Sequence, residues 1–81
     1  MEAHWTQQQA IDFECVRDVI TDCIGILNVQ IYAETDPIKL QALRNQSHAF
    51  SQERNSLHVN DDLNIAVARA KYDAFFIENM S

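Results

Sequence analysis

A helix resting on a single core needs an apolar arc of little more than about 100°. The first long segment of this chain carries far more. From Gln7 to Ala33 there is no proline, and the only glycine is Gly25. On a helical wheel, Phe13, Val16, Ile20, Ile24, Leu27 and Ile31 line one side. Cys15, Val19, Ile26, Val29 and Ala33 line a second side, and Cys23 joins the two. The combined arc is roughly 220° wide at 3.6 residues per turn. Such a surplus points to a second covering surface, supplied by another copy or by another protein.

The rest of the composition agrees with a helical chain. Glycine and proline each occur once in 81 residues, and β-branched residues do not alternate. This predicts an all-α domain over residues 1–81 with very short connections. A chain of this mass buries only about 60% of its unfolded surface as a monomer, which adds to the case for an oligomeric helical bundle.

Local signals place three helices. Thr6 and Gln9 form a capping-box pattern, with Trp5 ahead of the cap positioned to fold back on Ala10. The first helix is expected over about 7–33, near 40 Å long. It must stop before Asp36, because the residue preceding Pro37 avoids the helical region. Asp36 suits an N-cap and Pro37 the first helical position. The second helix, about 37–57, then returns antiparallel to the first across a short turn. Its apolar stripe is thin: Leu40, Leu43, Phe50 and Leu57, supported by Ile38, Ala42 and Ala49. Lys39, Arg44 and Arg54 complement Glu14, Asp18 and Asp22 of the first helix. A second break at His58–Asp62, capped by Asn60, opens a third helix over about 61–79, packed alongside the hairpin. Leu63, Ala66, Val67, Ala70, Ala74 and Ile77 form its expected core face. Ile65, Ala68, Tyr72, Phe75 and Phe76 form a second apolar face opposite.

Charge and residue inventory narrow the function classes. A net charge of −6, with six basic residues scattered along the chain, argues against direct nucleic-acid binding, which needs clustered Lys and Arg. It also disfavours anionic membrane surfaces. No apolar run approaches the roughly 20 residues that span a bilayer. Met1–Trp5 has neither the basic nor the apolar part of a signal peptide. A cytoplasmic, reduced protein is the expectation.

No residue set suggests catalysis, and the expectation is a non-enzyme with no metal or cofactor. His4, His48 and His58 are scattered without a ligand set at zinc spacing. Cys15 and Cys23 lie among carboxylates that quieten a thiol. Their separation of roughly 12 Å along one helix forbids a bridge between them. One glycine cannot build a phosphate-binding loop. Gly25 either admits the close approach of another backbone or is tolerated without a role. Glu14, Asp18 and Asp22 form an acidic stripe, read as a solvated face or as an electrostatic docking strip.

What remains is helical surface. The expected protein interface comprises Cys15, Val19, Ile26 and Val29 of the first helix and Ile65, Ala68, Tyr72, Phe75 and Phe76 of the third. The aromatic residues would be its anchors. In size, acidity and long helical hairpin, the chain resembles the small helical antirepressors of temperate bacteriophages. That resemblance implies a homo-oligomer, dimeric or higher, that binds a DNA-binding repressor and loosens its hold on DNA. The alternatives are a small structural or oligomerisation subunit and an antitoxin- or immunity-type inhibitor.

Overall fold

The computed structural model describes residues 5–80 of the chain, so His4 lies outside the described residues. Three helices account for nearly all of it: α1 (Gln7–Ala33), α2 (Pro37–Ser56) and α3 (Asp62–Met80). Both capping expectations for the hairpin hold. The Gln9 N–H donates to Thr6 Oγ1 at 3.1 Å, and the Thr6 N–H donates to Gln9 Oε1 at 2.8 Å. Asp36 Oδ1 accepts from the Ile38 N–H at 2.9 Å, with Pro37 in the first turn. The third cap is one residue later than the sequence suggested. Asp61, rather than Asn60, accepts from the Asn64 N–H at 3.2 Å and from the Asn64 amide at 2.6 Å.

α1 is the spine, and α2 and α3 each lie against it. Gln9 donates to Asp62 Oδ1 at 3.0 Å near the start of α1, and Gln30 donates to Asn79 Oδ1 at 3.1 Å near its end. α3 therefore runs parallel to α1, with α2 antiparallel between them in sequence. α2 and α3 meet through side chains. Phe50 sets its ring edge-on to Tyr72 at 4.8 Å and to Phe75 at 5.1 Å. The molecule is elongated, 52 × 24 × 17 Å.

The core is built from Val16, Ile20, Cys23 and Leu27 of α1, Phe50 of α2, and Ile65, Ala68 and Tyr72 of α3. Phe13, Val19, Ile24, Leu43, Leu57, Phe75 and Phe76 pack around its margin. The broad apolar arc of α1 is thus largely used inside the chain, because two neighbours contact it from different directions. One expectation is reversed. Leu63, Ala66, Val67, Ala70, Ala74 and Ile77, expected to face the core, all point outward, and the opposite face of α3 turns in. The inward face carries the larger side chains, and burial stabilises roughly in proportion to apolar area. It also holds the Tyr72 hydroxyl, which finds a polar partner on α2.

Candidate interaction surface

Tyr72 shows how firmly α3 is seated. Its hydroxyl donates to Glu53 Oε2 at 2.7 Å, and Lys71 Nζ lies 3.1 Å from the same oxygen. Lys71 also stands over the Tyr72 ring at 5.1 Å. Burial pushes the Tyr72 phenol well above its ordinary 10.0, and the adjoining Glu53 carboxylate raises it further. Burial acts upward on Glu53 too, but the hydrogen bonds from Tyr72 and Lys71, with the Lys71 charge, outweigh it and hold the carboxyl below 4.5. Deeper in, Cys23 Sγ–H donates to the Tyr72 carbonyl at 3.4 Å. Burial first, then Asp22 and Asp73, push that thiol above 9.0, so it is held as an unreactive thiol.

The hairpin is tied differently from the charge pattern expected. Arg54 Nη1 donates to Thr21 Oγ1 at 3.0 Å rather than meeting an α1 carboxylate. Its Nε is buried without a hydrogen-bond partner among the described residues. Ion pairs form instead between Arg69 and Asp73 at 3.0 Å and between Lys71 and Glu53.

The nine residues expected at an interface fall into three groups. Ile65, Ala68 and Tyr72 belong to the chain's own core, and Tyr72 keeps 0% of its surface exposed. They are corrected from expected interface residues to residues of the core. Phe75, Phe76 and Val19 are half-buried against that core, as Ile26 and Cys15 are half-buried on α1. Val29 stands outward at 71% exposure.

The exposed apolar surface that the sequence reading missed is the outer side of α3. Leu63, Val67 and Ile77 are 74%, 60% and 70% exposed, and Ala66, Ala70 and Ala74 lie exposed with them. All six fall within one stripe of the helical wheel, with no charge inside it. The signal was present in the sequence as a second apolar face, but nothing local said which face would be covered. The outer side of α1 has another chemistry: exposed Glu14, Asp18 and Asp22 between Ile11 and Val29. Near the α1–α2 turn, an open cleft of about 510 Å³ is lined by Gln30, Ala33, Glu34, Lys39, Leu43 and their neighbours. Its walls are mixed, and no group of acids, histidines or cysteines among the described residues is placed to hold a metal ion. No described helix is long and apolar enough to cross a membrane.

No family model matches the chain, and no curated protein or solved structure matches it.

Proposed function

We propose that this chain is a non-enzymatic regulatory protein that binds and inactivates another protein through its helical surfaces. The observation that carries this reading is the exposed acidic face of α1, Glu14, Asp18 and Asp22, on a chain that also leaves Leu63, Val67 and Ile77 of α3 uncovered. A contiguous exposed apolar face on a small protein marks a contact surface. The acidic face of α1 suits a basic target, since charge complementarity steers encounter and selects partners. A DNA-binding repressor is the target class that the likeness to phage antirepressors suggests.

The test is affinity capture with the wild-type chain beside an Asp18→Lys/Asp22→Lys variant, followed by a mobility-shift assay of the captured protein on its DNA. The wild type is expected to retain a basic DNA-binding protein and to release it from DNA, and the charge-reversed variant to do neither. Failure to retain such a protein, or retention that leaves its DNA complex intact, overturns the reading. The second reading is a small oligomerisation subunit, favoured by the same α3 stripe. Self-association with no foreign protein retained would establish it.

A further inference from the structure

The α3 stripe has a symmetry that its proposed role as a contact surface does not require. Five of its six residues, Leu63, Ala66, Ala70, Ala74 and Ile77, lie at successive intervals of three, four, four and three residues. The spacing reads the same from either end, with bulky side chains at both tips and alanines between. Resting on the reading of this stripe as an interaction surface, we propose that its occupant is the same stripe of a second copy of this chain. The two α3 helices pair antiparallel, with Ala70 on the two-fold axis.

A two-fold axis perpendicular to a helix makes each residue face the one equally far on the other side of Ala70. Leu63 then covers Ile77 of the second copy, and Ala66 covers Ala74 of the second copy, so like sizes meet in every layer. The three central alanines let the backbones approach closely, while Leu63 and Ile77 close the ends. Val67 widens the seam on one side. The antiparallel arrangement also sets the two helix dipoles in opposition, the favourable sense.

The flanking charges fit the same axis. In an antiparallel pair each flank meets its own copy. Arg69 and Asp73, joined at 3.0 Å within one chain, then meet Arg69 and Asp73 of the second copy. Asp73 of the second copy sits about 3 Å along the axis from Arg69, and the four charges form a neutral cluster. On the other flank the two Lys71 side chains lie about 3 Å apart along the axis, each with its charge already paired with Glu53 at 3.1 Å.

The seam from Leu63 to Ile77 is about 21 Å long. A single helix pair of that length falls at or below the low end of the roughly 1,200–2,000 Å² typical of stable interfaces. The dimer is accordingly weak and dissociates on dilution.

Two measurements test the pairing. The first is mass by sedimentation equilibrium over a dilution series, where twice the chain mass is expected at high micromolar concentration, falling to one chain on dilution. The second is disulfide trapping in a Cys15→Ser background. Ala66→Cys protein mixed with Ala74→Cys protein is expected to form the crosslinked heterodimer. Ala66→Cys protein alone is not, because its sulfurs lie about 12 Å apart along the axis, beyond disulfide reach. Self-crosslinking of the Ala66→Cys protein in preference to the mixture overturns the antiparallel pairing, as does a single-chain mass at millimolar concentration. Neither result touches the capture assay on the acidic α1 face, so the regulatory reading stands or falls separately.

Discussion

The outward sides of α1 and α3 carry different chemistry on neighbouring helices. α1 presents Glu14, Asp18 and Asp22 between its exposed apolar residues, whereas α3 presents Leu63, Ala66, Val67, Ala70, Ala74 and Ile77 with no charge in the stripe. Both helices have apolar residues on two sides, and the difference comes from position in the bundle. α1 lies against α2 and α3, so a wide arc is what a spine needs, and most of its apolar residues are satisfied within one chain. α3 is an outer helix. Once Ile65, Ala68 and Tyr72 turn inward, its second face has no neighbour among the described residues. A broad apolar arc therefore does not by itself signal a partner; on a spine helix it is covered within the chain, and on an outer helix one apolar face stays exposed.

The comparison between the faces of α3 is broken most directly at Tyr72. Tyr72→Ala removes a fully buried ring and is expected to destabilise the fold by about 3–5 kcal/mol, as large-to-small aromatic core changes do, measured by urea unfolding. Were the loss under about 1 kcal/mol, the inner and outer faces of α3 would have been assigned the wrong way round.

Tyr72→Phe is a finer probe, costing about 1.5–3 kcal/mol for a hydrogen bond to a charged acceptor. It should also change the pH dependence. Glu53 is held below its ordinary 4.5 in the fold, so its contribution is fully present above that value. It is lost as pH falls through the lower folded value, because the unfolded chain takes up the proton first. The wild-type stability should therefore drop below pH 4.5 more steeply than that of Tyr72→Phe. At the alkaline end the sign is opposite. The Tyr72 phenol is raised above 10.0, so stability should fall as pH climbs past that value and the unfolded chain alone ionises.

Gly25 sharpens the α1 side of the comparison. A methyl group placed there meets nothing within 4 Å among the described residues, so Gly25→Ala should stabilise the isolated chain by about 0.5–1 kcal/mol through helix propensity alone. If that variant also lost its captured protein, a partner backbone would have to pass over α1 at Gly25.

The smallest effect is expected on the outer stripe. Leu63→Ser or Ile77→Ser should alter the stability of the dilute chain by no more than about 0.5 kcal/mol, as surface changes do, while abolishing self-association. Equal loss of both would mean that α3 cannot hold its place without its outer face covered.

Helix limits were legible to a residue or two because their determinants are local. The Thr6–Gln9 capping box and the Asp36–Pro37 step act within one turn of chain, and the structure keeps both. The start of α3 was less so: the sequence pointed to Asn60 as its cap, and the hydrogen bonds from Asn64 place the cap one residue later, at Asp61. The inner face of α3 was illegible from periodicity, which marks two apolar sides equally and does not rank them. The ranking follows from Phe50 and Glu53, which lie about twenty residues earlier and reach Tyr72 only once α2 has folded back along α1.

By itself, then, the sequence determined an acidic, all-α chain of three helices with short connections, since propensity, capping and proline sterics operate over a few neighbouring residues. Only the tertiary structure decided that α1 is the spine, that Tyr72 is a core residue held by Glu53, and that Leu63, Val67 and Ile77 remain uncovered. Those outcomes depend on which apolar faces meet across the bundle, where buried area and a partner for the tyrosine hydroxyl choose between alternatives that the helical period leaves equal.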